Sequence, residues 1–141
     1  MSNVAAERLV VCAGAHVKPE CASAMEDFLA AQESDIYRFV MSDWLSEDQL
    51  RGAALLWIVN DSAIWDPVQF ALWNEIPLLI PEANTTLKQI CVSANCGMYY
   101  RDAADARLCL EFLLANDGIR KRLGSNGHAY VKRQSAKAFA R

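Results

Sequence analysis

The feature that most constrains this chain is the alternation, along its whole length, of short continuous apolar runs with longer segments of helical period. Runs rich in Val, Ile, Leu and aromatic residues fall at 9–13 (LVVCA), 36–41, 54–59 (ALLWIV), 78–80 and 98–100. Continuous rather than alternating apolar runs suit strands covered on both faces, as in a parallel sheet flanked by helices. Between them the pattern is helical at 20–31, 46–52, 67–74, 86–93, 103–116 and from 119 onward. Strands that alternate with helices in this way build βαβ units. The expected fold is α/β: a three-layer, Rossmann-like, open and mainly parallel sheet of about five strands, with helices on both faces.

Local punctuation agrees with these boundaries. Asn60, Asp61 and Ser62 close the third apolar run with side chains that bond nearby backbone and so favour a turn. Ser46 and Gln49 have the spacing of a capping box. Pro67 suits a first helical position, where its missing N–H costs nothing, with Asp66 before it as the cap. Pro77 and Pro81 fence the fourth run, and Asn95 or Gly97 can end the preceding helix in a left-handed conformation. No linker, repeat or low-complexity stretch interrupts the pattern, so one domain spanning 1–141 is expected, a length near that of a single core.

Right-handed crossovers and helices on both faces make 2-1-3-4-5 the simplest strand order. In such sheets ligands bind beyond the carboxyl ends of the strands where the order reverses, here after the first and third. The loops concerned are 14–18 and 60–66.

Charge narrows the partners. Fourteen basic against seventeen acidic residues leave a net charge of −3, which argues against a nucleic-acid partner. The densest basic stretch, Arg120 to Arg122 followed by Lys132, Arg133, Lys137 and Arg141, reads as the solvated face of a helical tail. No apolar stretch approaches the ~20 residues of a membrane span, and Met1–Glu7 lacks the features of a secretory signal. Five cysteines at irregular spacing fit reduced thiols in the cytoplasm better than a disulfide framework. Cys91 and Cys96 are the close pair, without the further Cys or His that a zinc site needs, so no metal site and no cofactor are expected.

Several residues near the expected crevice carry suitable chemistry. Asp61, Ser62 and Asp66 can bond a ribose or sugar hydroxyl, or else cap the turn and the helix at Pro67. His16 and Lys18, beyond Gly14, form a pair able to meet a phosphate, or a solvated loop. Glu82, Asn84, Thr85 and Thr86 follow the fourth strand at a helix N-terminus, where backbone amides attract anions. Of four tryptophans, Trp57 and Trp73 read as core, Trp44 is unassigned, and Trp65 stays open between packing and a platform for a base or sugar. Cys12, inside a strand, reads as a small buried hydrophobe. No Ser/His/Asp or Cys/His nucleophile arrangement emerges, so no catalytic residue is assigned.

From the third strand onward the chain resembles the C-terminal, donor-binding domain of retaining GT-B glycosyltransferases. The phrases that carry the likeness are 54–81 (ALLWIVNDSAIWDPVQFALWNEIPLLIP), 95–100 (NCGMYY), 42–50 (SDWLSEDQL) and 102–131, which contains LEFLLANDGIRKRLGSNGHAYV. In the last, Leu123-Gly124-Ser125-Asn126 resembles a turn before the family's returning helix. The resemblance implies donor contacts at Gly14, His16, Lys18, Asp61, Ser62, Trp65, Asp66, Asn84, Thr85 and Thr86. It also locates departures: Ser62 and Phe70 stand where the family carries two glutamates that hold the sugar and the ribose. With Gly14 taken as the family's glycine, Ala15 stands where it carries the arginine of a diphosphate-binding pair, and with Leu9 taken as the start of the family's second strand the pair is missing altogether. A carboxylate accepts two hydroxyl bonds; phenylalanine accepts none.

Such enzymes act in a cleft between two domains, and one domain does not position two substrates. The resemblance therefore implies a nucleotide- or nucleotide-sugar-binding or assembly module that is not catalytic alone. Two alternatives remain: the donor-binding subunit of a split glycosyltransferase, with a separate acceptor-domain partner, or a small nucleotide or nucleoside hydrolase using Asp61, Asp66 or Glu75 as its acid. Self-association is a further expectation, because a domain cut from a larger parent exposes an apolar face.

Overall fold

The computed structural model of the chain describes residues 9–14, 37–42, 50–58 and 65–139. The expected helix at 20–31, the capping box at Ser46 and Gln49, and Trp44 lie outside them.

The strands are β1 (Leu9–Gly14), β2 (Tyr37–Ser42), β3 (Leu55–Ile58), β4 (Leu78–Pro81) and β5 (Gly97–Tyr100), hydrogen-bonded in the order β2-β1-β3-β4-β5 with every pairing parallel. The α/β class and the parallel sheet are as expected. The described helices are α1 (Trp65–Trp73), α2 (Thr85–Ala94), α3 (Ala103–Ala115) and α4 (Asp117–Phe139).

The central strands explain why the apolar runs are continuous. Leu55, Leu56, Trp57 and Ile58 of β3 are all buried, as are Leu78, Leu79 and Ile80 of β4. Successive side chains point to opposite faces. Leu56, Ile58, Leu78 and Ile80 meet Val68, Ala71 and Leu72 of α1 and Leu87, Ile90, Cys91 and Ala94 of α2. Leu55, Trp57 and Leu79 meet Ala106, Cys109, Leu110, Leu113 and Leu114 of α3. Both faces of β3 and β4 are therefore covered, and a charge placed on either face of them would be buried without water.

The 23-residue α4 is about 35 Å long at 1.5 Å per residue, and it serves both layers. Ile119 and Leu123 pack on the α3 side, while Tyr130 and Val131 pack on the α1–α2 side.

Three expectations are corrected here. The segment Leu123-Gly124-Ser125-Asn126 is not a turn: helix α4 runs unbroken through it. Its glycines serve close packing instead. A Cβ on Gly124 would overlap the carbonyl oxygen of Glu75, and one on Gly127 would lie 2.9 Å from Leu72 Cδ2 and 3.1 Å from Cys96 Cβ. Arg120 is not on a solvated face; it is 7% exposed. Its Nη1 donates to the carbonyls of Leu113 (2.7 Å) and Leu114 (2.9 Å) and its Nη2 to Asp117 Oδ1 (3.1 Å), tying down the last turn of α3, where carbonyls lack helical partners further along the chain. Trp73 is not core: it is 43% exposed and packs edge-on against His128 at 5.7 Å, whose Nδ1 lies 2.9 Å from the Trp73 carbonyl. A carbonyl only accepts, so Nδ1 carries the proton.

Candidate functional site

The parallel strands end together at one edge of the sheet. Gly14 is in register with Ser42 on one side and Ile58 on the other, and Pro81 is in register with Tyr100. Among the described residues, the β4–α2 and β5–α3 connections leave the sheet from this edge, the carboxyl edge, where open α/β sheets bind ligands.

Beyond β4 the chain turns at once into α2. The Asn84 amide donates to the Pro81 carbonyl (3.0 Å), and Asn84 Oδ1 accepts from the Leu87 amide at 3.1 Å. Asn84 is extended (φ −81, ψ 91) and 6% exposed, the conformation and contact of an N-cap. The site residue expected at Asn84 is thus committed to holding the helix start, while Thr85 and Thr86 beside it are exposed. The Glu82 amide bonds the Tyr100 carbonyl at 2.8 Å, tying the β4–α2 turn to the end of β5.

Electrostatics separate the helix starts at this edge. The first turn of α2 holds no acidic residue. Lys88 lies one turn in, 3.2 Å from Glu82 Oε1 and 5.0 Å from the centroid of the Tyr99 ring. By contrast, α3 opens on two carboxylates: Asp102 Oδ1 accepts from the Asp105 amide (2.8 Å), and Asp105 Oδ2 accepts from the Arg101 amide (2.9 Å). Positive partial charge at a helix N-terminus attracts anions, and side-chain carboxylates neutralise it. Of these two starts, α2 is the one suited to a phosphate.

An aromatic pair closes this edge on the α3 side. The Tyr100 hydroxyl donates to the Ile58 carbonyl at 2.5 Å, joining the ends of β5 and β3 across β4. Trp57 packs edge-on against Tyr100, centroids 6.3 Å apart at 85°. Trp57 is 4% exposed, and its Nε1 is without a hydrogen-bond partner. Such an N–H costs free energy where it stands.

Of the other expected site residues, Gly14 lies at the carboxyl end of β1. His16, Lys18, Asp61 and Ser62 lie outside the described residues. Trp65 and Asp66 form the first two residues of α1, which starts two positions before Pro67, and their side chains lie outside the description, as does that of Cys12. Asp66 is therefore inside the helix, not its cap. Glu75 precedes β4 and lies at the opposite, amino edge of the sheet, where its Oε1 accepts from Ser125 Oγ at 3.0 Å. Lys88 and Tyr100 were not singled out from sequence. Lys88 had a usable signal, since it stands four residues after the cap and so on the same side of the helix start.

No group of three or more His, Cys, Asp or Glu able to hold a metal occurs among the described residues, and no described helix is long and apolar enough to cross a membrane.

No protein-family model matches the chain, and no curated protein matches it. Among solved structures it is similar to the C-terminal CMP-Kdo binding domain of WaaA from Acinetobacter baumannii, with a TM-score of 0.66 at 11% identity, over 90% of this chain and 91% of that one. The likeness is one of fold. It supports the GT-B-like architecture that the sequence phrases imply, over nearly the full length of both chains.

Proposed function

We propose that this chain is a glycosyltransferase-like donor-binding module: one Rossmann-like domain of five strands spanning 1–141, which binds a nucleotide or nucleotide-sugar at the carboxyl edge and does not transfer sugar alone. The observation that carries the reading is the fold match to a CMP-Kdo binding domain. The asparagine-capped start of α2, whose first turn holds no acidic residue, supports it, because that is where a donor phosphate would meet backbone amides.

In this reading Thr85 and Thr86 offer hydroxyls beside those amides, and Lys88 would exchange its ion pair with Glu82 for the phosphate. Gly14 lets the chain leave β1 close to the ligand. His16, Lys18, Asp61, Ser62, Trp65 and Asp66 complete the crevice from the two loops at the switch point. Ser62 and Phe70, in place of the glutamates of the resembled family, weaken the hold on sugar and ribose hydroxyls. The protein works in the cytoplasm, where nucleotide-sugars are made.

A second reading, the donor-binding subunit of a split glycosyltransferase, is favoured by the matched structure being itself the C-terminal domain of a larger protein. It requires a separate acceptor-domain partner. The hydrolase reading loses Glu75, which lies at the edge of the sheet away from the crevice.

The test is a thermal-shift series on the purified chain with nucleoside mono- and diphosphates and nucleotide-sugars. A ligand at 100 times its Kd stabilises the fold by about 2.7 kcal/mol. A saturable shift with a nucleotide-sugar supports the reading. No shift with any of them overturns it.

A further inference from the structure

The end of α2 places two thiols together in the core. Asn95 is left-handed (φ 53, ψ 52), and its amide donates to the Cys91 carbonyl at 2.8 Å. In this type of cap the residue after the left-handed one folds back onto the last full turn of the helix. Here the residue that folds back is Cys96, and the helix residue that bonds Asn95 is Cys91. Cys91 is 3% exposed and Cys96 1%. Cys96 Sγ lies 4.0 Å from the Ile90 carbonyl. Gly127 of α4 packs close to Cys96, a Cβ built on it lying 3.1 Å from Cys96 Cβ.

We propose that Cys91 and Cys96 form a two-thiol redox site, closed to a disulfide by a small two-electron oxidant such as hydrogen peroxide. In the first step one thiol sulfur attacks the peroxide, its O–O bond breaks, and a sulfenic acid and water result. The second thiol then displaces the hydroxyl as a second water, and the S–S bond forms. Two thiols have lost two hydrogens and two electrons, and one peroxide has become two waters.

The pair is asymmetric in the way such a step needs. The hydrogen bond with Cys96, reinforced by burial, pushes the Cys91 thiol up, and the same hydrogen bond lowers Cys96. Cys96 is therefore the attacking sulfur, since the thiolate is the nucleophile. The turn of α2 that carries the pair lies at the surface: Val92, Ser93 and Asn95 are exposed, and the Asn126 side-chain amide donates to the Asn95 carbonyl at 2.9 Å. The oxidant must therefore be small enough to reach buried thiols, and a bulky alkylating agent is excluded.

The experiment treats the folded full chain with hydrogen peroxide, alkylates it after unfolding, and examines the tryptic peptide 89–101, which contains both cysteines. The expected product has lost two hydrogen masses, carries no alkyl group, and returns to a doubly alkylated peptide after reduction. In the same folded protein a bulky maleimide leaves both cysteines unmodified. Cys109→Ala leaves the product unchanged, and Cys91→Ala abolishes it. Full alkylation of both cysteines after peroxide, or oxidation of either one to a sulfinic acid without the disulfide, overturns the proposal. That result is read on the native chain and does not depend on a variant folding. It is also independent of nucleotide binding.

Discussion

Gly124 of α4 lies so close to Glu75 that a Cβ built on it would overlap the Glu75 carbonyl oxygen and come within 2.7 Å of its carbon. Glu75 is itself left-handed (φ 58), so the turn from α1 into β4 is fixed by a contact that only a glycine permits. Gly124→Ala is expected to destabilise the fold by about 1–3 kcal/mol, the range for forced overpacking. Gly118→Ala, with nothing within 4 Å of its Cβ, is the control and is expected to be neutral or to gain up to about 1 kcal/mol. Urea melts of the two variants check the contrast. Equal stabilities would contradict the close approach.

Arg120 is expected to be irreplaceable by lysine. Its guanidinium bonds two carbonyls at the end of α3 and one carboxylate at the start of α4. An ammonium is a single point and cannot span that fork. Arg120→Ala and Arg120→Lys should each cost about 1.5–3 kcal/mol, the range for hydrogen bonds to charged groups. Denaturant midpoints measure it, and full stability of the lysine variant would show that the fork is not needed.

How much of this was legible in the sequence follows from the kind of signal each feature leaves. The strand at 78–80 was visible because Pro77 and Pro81 bound a short apolar run, and the structure extends it only to Pro81. The end of α2 was visible because Asn95 is a residue that tolerates the left-handed region. Gly124 was misread because a glycine in a turn and a glycine under a carbonyl look the same in one sequence. Arg120 and Trp73 were misread for a related reason: their surroundings are set by the α3–α4 and α1–α4 junctions, which local pattern does not encode. At the crevice, the position of the α2 start was legible from Asn84, Thr85 and Thr86. Its electrostatic distinction from the start of α3 needed the observed caps.

Asn84 separates a structural role from a ligand role. Asn84→Ala removes the cap of α2 and should cost about 1 kcal/mol. Asn84→Asp keeps an accepting oxygen on the Leu87 amide but adds negative charge where the phosphate is proposed to sit. Its stability should stay near that of the wild type. Affinity for a nucleotide should fall about tenfold, the equivalent of about 1.4 kcal/mol. Unchanged affinity in titration calorimetry would remove α2 from the site.

Alkaline pH should weaken the fold through Cys109. Burial, and then the charge of Asp105, pushes the Cys109 thiol above the ordinary value of 9.0. A raised thiol contributes stability that is fully present below the unfolded value and is lost as pH rises beyond it. Midpoints should therefore be flat with respect to Cys109 from neutral pH to about 9 and fall above that. Cys109→Ala should flatten the fall, and an unaltered alkaline limb in that variant would contradict the assignment.

The most direct measurement is nuclear magnetic resonance of the isotopically labelled chain titrated with a cytidine nucleotide-sugar and, separately, with other nucleotide-sugars. The account predicts saturable shifts at the amides of Gly14, Thr85, Thr86 and Leu87, at the carboxyl edge, with none at Glu75 or Ser125 at the opposite edge. Shifts confined to the amino edge, or no shifts with any donor, would contradict a donor-binding module.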